Sequence, residues 1–492
     1  MRYATVIGSS TRNYFLLGGI VLPFIGLNLY LMSEGIYLLN LLPLVILFSW
    51  IAFTSLDTLL LVTVFFTPVS VQLSLFIKGL DMDLSLPTEP FLILIMVLYL
   101  LKMILEKGPD RRLWRHPVSI AVFIYLAWML LTALTSTMPG VSLKYFVARL
   151  WFIIAFYFLA SQVFLRGKNI EKYIRAYIIP FILVIGYALY QHSQQGLVNQ
   201  MASHSAVHPF YNDHTAYGSA LAMLLPFLFS TAIFGGVRPG RRVWVVLLLL
   251  LFSFATVFSY SRATWLSLLF ALVVFILVKM RIRLMSLSLI VLLAGIYIYL
   301  FRTEIIMKME ENKQTSSKEF TEHIQSMANI TSDASNAERI NRWKSAIRMY
   351  RERPLTGWGP GTYQFKYAPF QRSREKTYIS TDFGDQGTAH SEYFGPLSES
   401  GLPGLLSVLL LVLTAVYTGL RTYRRLPPGR MKMITMSVFL GLVTYFTHGM
   451  LNNFLHSDKA SALVWGFIAI LVAIDLQSGG KKELKVNGIE PR

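Results

Sequence analysis

The stretch Val118-Ser-Ile-Ala-Val-Phe-Ile-Tyr-Leu-Ala-Trp-Met-Leu-Leu-Thr-Ala-Leu-Thr-Ser-Thr137 contains no charged residue and is long enough to cross a lipid bilayer as a helix. Its apolar residues run continuously instead of alternating with polar ones, which favours helices over a transmembrane β-barrel. Similar runs fill most of the chain, which is 54% hydrophobic and 14% charged. The sequence therefore predicts an all-α polytopic membrane protein with about 12–14 transmembrane helices. The predicted spans lie near residues 14–32, 36–54, 56–77, 90–105, 118–137, 145–165, 176–190, 216–234, 243–259, 264–279, 284–301, 397–420, 433–451 and 460–476.

One long polar segment, residues 302–396, interrupts this series of apolar runs. It predicts a mainly helical loop domain inserted before the last membrane helices. The predicted organisation is a transmembrane bundle at 1–301, the loop domain at 302–396, C-terminal transmembrane helices at 397–476 and a basic tail at 477–492.

The net charge of +19 is distributed unevenly between alternate loops. Short loops rich in lysine and arginine alternate with short loops that hold very few, which is the pattern of cytoplasmic loops and their opposite partners. This pattern predicts that both termini are cytoplasmic and that residues 302–396 face outward, away from the cytoplasm. It also accounts for the charge without a nucleic-acid partner. The basic loops contain Lys107, Arg111, Arg112 and Arg115; Arg166, Lys168, Lys172 and Arg175; Arg238, Arg241 and Arg242; Lys279, Arg281 and Arg283; Arg421, Arg424, Arg425, Arg430 and Lys432.

Within the polar segment, His390 lies in Thr388-Ala-His-Ser-Glu-Tyr-Phe-Gly395, just before the chain returns to the membrane. Histidine is the side chain best suited to exchange a proton near neutral pH. Upstream, Ser335 and Glu338 have the spacing of a capping box, which predicts a helix from Glu338 to Arg353 that ends at Pro354. The glycine-rich turn Gly357-Trp-Gly-Pro-Gly361 follows, where glycine permits close approach of another chain segment or a ligand.

Five motifs in order resemble those of the O-antigen ligase/polymerase superfamily of bacterial envelope proteins. The resemblance covers roughly residues 140–475. Two departures are a serine where asparagine is commoner after the histidine, and Asp213-His214 where a Pro-Asn pair is frequent. The motifs are Phe210-Tyr-Asn-Asp-His214, Ser259-Tyr-Ser-Arg-Ala-Thr-Trp265, Arg339-x-x-x-Trp343, Arg353-Pro-Leu-Thr-Gly-Trp-Gly-Pro-Gly361, and His390-Ser-Glu-Tyr with Ser400-Gly-Leu-Pro-Gly404.

The resemblance implies a glycosyltransferase that moves a glycan from an undecaprenyl-diphosphate carrier to an acceptor sugar hydroxyl. Such a donor arrives already activated, so the site needs arginines for the diphosphate and a base for the attacking hydroxyl. Neither a cofactor nor a metal ion is expected. Ligation to lipid A-core is the leading interpretation; polymerisation of O-antigen or exopolysaccharide repeats and protein O-glycosylation are alternatives. A transporter or flippase for the same lipid-linked glycan is the alternative from another class.

The resemblance makes His390 the candidate catalytic base, and four arginines the candidate diphosphate ligands. Each also has a structural interpretation: a loop-end histidine, snorkelling at the interface for Arg262, a solvated helix face for Arg339 and Arg342, and buried pairing for Arg149. Acceptor or sugar contacts are assigned to Trp343, Trp358, Tyr363 and His214, although aromatic residues are common at membrane interfaces in any case.

His204 and His208 have the i, i+4 spacing of a zinc-binding pair, but no glutamate follows the first as in metalloproteases. Cysteine is absent from the chain, which excludes thiolate metal sites and a cysteine nucleophile. Histidines at an interface, or histidines that recognise the acceptor, are therefore the preferred interpretation of this loop.

Overall fold

A computed structural model describes residues 19, 21–34, 55–75, 84–105, 110–167, 169–235, 238–281, 321–377, 379–381 and 387–486, with the backbone alone for 321–335 and 480–486. The chain divides into two compact units, residues 1–59 and 60–492. The first unit contains helix α1 (Val21–Ser33), and the second contains nearly all other elements. Those helices are α2 (Leu56–Phe66), α3 (Thr88–Leu105), α4 (Arg111–Trp114), α5 (Pro117–Leu134), α6 (Pro139–Ile153), α7 (Ala160–Leu165), α8 (Ile170–Gln194), α9 (Gln200–Ala206), α10 (His214–Phe234), α11 (Pro239–Phe258), α12 (Arg262–Lys279), α13 (Thr321–Glu352), α14 (Tyr363–Lys366), α15 (Phe394–Arg425), α16 (Arg430–His448) and α17 (Asp458–Val486).

The described chain is an all-α polytopic membrane protein, as predicted. Nine of its helical segments are long and apolar enough to span a membrane. A six-residue π-helical segment, Ile154–Leu159, joins α6 to α7, so that Pro139–Leu165 counts as one of the nine. Of the described residues, only β1 (Val71–Gln72) and β2 (Ser85–Leu86) form strands, and they pair antiparallel. The predicted spans at 36–54 and 284–301 lie outside the described residues.

Two predicted boundaries differ from the structure. The span predicted at 56–77 ends as an α-helix at Phe66 and continues as a short 3-10 turn, because Pro68 supplies no backbone donor for a longer helix. The helix predicted to begin at Glu338 begins at Thr321 instead. No glycine or proline lies between Thr321 and Glu338 to interrupt the helix. The capping-box spacing of Ser335 and Glu338 therefore does not mark a helix start here.

Helix α15 bends where the polar loop meets it. Gly401 has φ +69°, and a Cβ placed there would lie 2.2 Å from the carbonyl oxygen of Leu355. Only glycine accommodates both the left-handed backbone and this close approach. Leu402 N donates to Pro354 O at 2.9 Å, and Gly359 N donates to Glu399 O at 2.8 Å. The glycine-rich turn of the loop is therefore hydrogen-bonded directly to the first turns of a membrane helix.

The described part of the loop has a small apolar core of its own. Ala346 and Met349 of α13 pack with Tyr363, Tyr367 and Ala389, which are all buried. Because Ala389 belongs to this core, the packing that stabilises the loop also holds the backbone next to His390 in place.

Candidate active site around His390

The backbone of His390 adopts a left-handed conformation, with φ +46°. This conformation is uncommon for a residue with a side chain and is maintained by contacts on both sides. Thr388 Oγ1 donates to Asn453 Oδ1 at 2.9 Å, and Glu392 N donates to Gly449 O at 2.8 Å. The strained residue is thus held between two anchors that lie just beyond α16.

Glu392 provides the firmest of these anchors. Its Oε1 accepts hydrogen bonds from Tyr445 Oη at 2.7 Å and from the backbone N–H groups of Phe454 and Leu455 at 2.8 Å each. A carboxylate that accepts several such bonds is strongly fixed. Glu392, two residues after His390 in the same motif, is therefore a positioning residue for the segment, a role that the sequence alone did not assign.

Helix α13 contributes a buried ion pair beside the histidine. Arg342 Nε lies 2.7 Å from Glu338 Oε1, and both side chains are less than a tenth exposed. Arg342 also donates through Nη1 to Thr388 O at 3.0 Å. The ion pair at i, i+4 spacing therefore connects the helix to the backbone that carries His390.

Arg339 directly follows Glu338 on α13, about one turn before Arg342, and has fewer partners than Arg342. Its Nη1 donates to Asn336 Oδ1 at 3.2 Å. Its Nε is buried, and no described residue accepts a hydrogen bond from it. A buried guanidinium nitrogen without an acceptor is costly unless a ligand or water completes it. Of the two arginines, Arg339 is the one with free capacity to bind an anion.

The surroundings of His390 keep its imidazole neutral. Burial, together with the positive charges of Arg342 and Arg339, lowers the pKa of His390 to about 4, against smaller opposing effects of Asp213 and Glu338. Neutral imidazole has one nitrogen free to accept a proton. The two guanidinium groups that lower this pKa also create positive potential where an anionic group would bind.

Asp213 and His214, at the start of α10, bring a further carboxylate and imidazole near His390. His214 Nδ1 is 3.1 Å from Asp213 Oδ1, and the imidazole of His214 stacks on that of His204 at 4.0 Å between ring centroids. Burial opposes ionisation of Asp213, but the hydrogen bond and charge of His214 hold the pKa of this carboxyl below its usual range. The negative charge of Asp213 acts to raise the pKa of both Arg339 and His390. We call these five residues, Asp213, Glu338, Arg339, Arg342 and His390, the His390 group.

The structure does not bring the other two predicted arginines into this group. Arg262, the first residue of α12, is exposed, and its assignment to the diphosphate stays a prediction. Arg149 is 4% exposed within the bundle. Its Nη2 donates to Tyr145 Oη at 2.7 Å and its Nη1 to Leu455 O at 2.5 Å.

The predicted aromatic contacts mostly serve the loop itself. Trp343 stacks on Phe394, and Trp358 Nε1 donates to Met349 O at 3.1 Å. Tyr363 Oη donates to Arg342 O at 2.8 Å. The sugar contacts assigned to Trp343, Trp358 and Tyr363 stay predictions.

Arg149 lines a cavity of about 350 Å³ between helices α5, α6, α15, α16 and α17. Thr388, Ala389 and Ser391 also line it, whereas His390, Arg339 and Arg342 do not. The backbone of residues 388–391 therefore separates this cavity, which we call the inter-helix cavity, from the His390 group.

Two residues of the His390 group, Asp213 and Glu338, were not assigned to it from the sequence. The i, i+4 spacing of Glu338 and Arg342 was the available signal, but the capping-box interpretation placed Glu338 at a helix start.

Among the residues that the structure describes, no three histidine, aspartate or glutamate side chains are grouped closely enough to hold a metal ion. His204 instead contacts His214, and burial lowers the pKa of His204, as does the charge of His214.

Comparison with known proteins identifies one family. Residues 246–409 match the family model described as O-antigen ligase. This match includes α12, α13 and the segment that carries His390. No curated protein matches the chain significantly.

Proposed function

We propose, because residues 246–409 match the O-antigen ligase family, that the chain is a glycosyltransferase that uses an undecaprenyl-diphosphate-linked glycan as donor. The acceptor in this proposal is a sugar hydroxyl of lipid A-core at the periplasmic face of the bacterial inner membrane. Polymerisation of repeat units and protein O-glycosylation are the alternative acceptor chemistries. The observation that carries the proposal is a neutral, buried imidazole beside two guanidinium groups, one of which has unused hydrogen-bonding capacity.

In the proposed reaction, His390 accepts the proton of the acceptor hydroxyl while the hydroxyl oxygen forms a bond to the anomeric carbon of the donor sugar. The bond between that carbon and the diphosphate oxygen breaks, and the diphosphate leaves with the additional negative charge. Arg339, supported by Arg342, stabilises this charge by charge-assisted hydrogen bonds. Arg339 has the larger share because Glu338 already neutralises Arg342.

The low pKa of His390 has a direct consequence for the order of events. A free imidazole with a pKa near 4 is a weak base at neutral pH. Donor binding would place the negative diphosphate beside Arg339, which cancels part of the positive potential that lowers the pKa. His390 therefore becomes a stronger base when the donor is bound, so that proton acceptance is coupled to the presence of the leaving group.

The test compares His390→Asn with Arg339→Ala, using purified protein, undecaprenyl-diphosphate-linked glycan and lipid A-core. Asparagine tolerates the left-handed backbone, so this variant removes the base with little change in conformation. We expect His390→Asn to lower turnover by about 10²–10⁴-fold and to leave donor affinity nearly unchanged. Arg339→Ala should weaken donor binding as well, and Arg339→Lys should rescue only part of it.

Arg351→Ala is the matched control, because Arg351 is exposed on the same helix; it should transfer at the rate of the unmodified protein. Near-normal turnover of His390→Asn would contradict the role as base. Donor affinity unaffected by Arg339→Ala would contradict the assignment of the diphosphate to this group.

A further inference from the structure

The inter-helix cavity contains groups that the proposed proton transfer and diphosphate binding do not use. Its volume of about 350 Å³ lies in the range of small-molecule sites, about 300–1,000 Å³. Arg149 and Glu399 both line it, so that a donor-only and an acceptor-only side chain face one chamber.

Arg149 retains unused donors in this chamber. Its two hydrogen bonds go to a phenol oxygen and a backbone carbonyl, both neutral, whereas a guanidinium carries five N–H groups. Among the described residues, no carboxylate lies within ion-pair distance of Arg149. A buried guanidinium with neutral partners and spare donors is costly without further acceptors, and a ligand rich in hydroxyl oxygens supplies them.

Glu399 is held in place with acceptor capacity to spare. Its Oε1 accepts from Tyr363 N at 3.0 Å, and its own carbonyl oxygen accepts from Gly359 N. The carboxylate is thus fixed by a backbone N–H just after the glycine-rich turn, and the main chain of Glu399 is fixed by the turn itself. A fixed carboxylate that borders a cavity accepts hydrogen bonds from hydroxyl groups at low entropic cost.

The remaining walls are aromatic and apolar. Tyr125, Trp128 and Tyr145 line the cavity beside these charged groups, and aromatic faces pack well against C–H surfaces. A purely anionic ligand would meet the carboxylate of Glu399, and a purely apolar ligand would leave the spare donors of Arg149 and the spare acceptor capacity of Glu399 unused. A neutral sugar ring satisfies the carboxylate, the guanidinium and the aromatic walls together.

We propose that the inter-helix cavity is a carbohydrate subsite that binds a neutral sugar ring, with Glu399 accepting from its hydroxyl groups and Arg149 donating to them. The proposal rests on the proposed function and extends it, because the cavity lies across residues 388–391 from the candidate diphosphate site. The sugar belongs either to the acceptor or to a donor unit beyond the one that is attached to the diphosphate.

Two variants test the subsite by different means. Glu399→Gln removes the charge but retains an oxygen for Tyr363 N. Ser407→Leu fills space, because Ser407 borders the cavity within α15. Leu406→Phe is the matched control, since Leu406 is 53% exposed on the same helix and added bulk there does not enter the cavity. Transfer is measured with undecaprenyl-diphosphate-linked glycan and lipid A-core, each varied in turn.

We expect both variants to raise one KM by about tenfold or more, the loss expected for a hydrogen bond to a charged group, while the control matches the unmodified protein. A change confined to the acceptor KM assigns the cavity to the acceptor sugar, and a change confined to the donor KM assigns it to the donor glycan. Lower kcat with both KM values unchanged would overturn the proposal, as would unchanged kinetics in both variants.

If the unmodified protein transfers no glycan, the proposed function fails and the subsite is tested separately. Lipid-free core oligosaccharide and lipid-free donor glycan are then the probes, and the binding of each is followed by saturation-transfer NMR. Binding that Glu399→Gln and Ser407→Leu weaken would support a carbohydrate site. Absence of binding, or binding that both variants leave unchanged, would refute it.

Discussion

Removal of the Glu338 carboxylate should destabilise the loop more than loss of any exposed ion pair. In Glu338→Ala, the guanidinium of Arg342 remains buried, and its remaining contacts among the described residues are Thr388 O at 3.0 Å and the ring of Tyr367, 5.4 Å from its centroid. An isolated buried charge of this kind costs about 3–5 kcal/mol. We expect the lower end, because those two contacts remain.

Hydrogen exchange measures this effect within the loop without unfolding the membrane helices. A cost of about 3 kcal/mol corresponds to an opening equilibrium at least about 100-fold larger, so peptides from residues 338–352 should exchange faster by that factor. Lys344→Ala is the control: Lys344 is half exposed and pairs with Glu375 at 3.3 Å, a contact worth less than about 1 kcal/mol.

The double variant Glu338→Leu/Arg342→Met separates the ion pair from the rest of the packing. Replacing both charges by apolar groups of similar size removes the unpaired guanidinium, and exchange should return part of the way to that of the unmodified protein. The recovery is partial because Asn341, Thr377 and Ser380 still lose Glu338 Oε2 as their acceptor. Equal exchange in Glu338→Ala and Lys344→Ala would refute the reasoning, because the buried pair would then contribute no more than the exposed one.

Four further outcomes are expected. Transfer at limiting donor should stay constant from about pH 8 to about pH 5 and fall as pH drops through about 4, because His390 must be neutral to accept a proton; at saturating donor the fall should move to higher pH. Transfer should survive excess EDTA, and activity that Mg²⁺ restores would contradict arginine-based stabilisation of the leaving group. Gly357→Ala should lose transfer, because its Cβ would lie 2.3 Å from the backbone of Glu399, whereas Gly140→Ala, with open space, should retain it. An alkaline phosphatase reporter should be active after Gln200 and inactive after Arg242, and the reverse would overturn the proposed orientation.

The membrane architecture was predictable because a bilayer imposes one strong constraint. A continuous apolar run must form a helix wherever water is absent, and the run at 118–137 became α5, Pro117–Leu134. The effect of local sequence signals on helix boundaries was harder to predict. Pro68 shortened one predicted span, whereas the capping-box spacing at Ser335 did not interrupt α13.

The candidate site was predictable only where it coincides with local motifs. His390 and Arg339 were singled out from their own sequence neighbourhoods. The approach of Asp213 to this group depends on the packing of α10 against α16 and of α13 against α15, which no local pattern contains. The cavity beside Arg149 is likewise formed by five helices from distant parts of the chain, so sequence indicated a buried charge there but not its surroundings.

The junction at Gly401 also determines how this protein can be recombined with relatives. The carbonyl groups of Pro354 and Leu355 lie against the backbone of α15 with no room for a side chain between them. A chimera that exchanges the polar loop alone would pair one parent's turn with the other parent's helix and lose this fit. Crossovers should instead be placed so that residues 336–425 are inherited as one block, with the turn and the helix from the same parent.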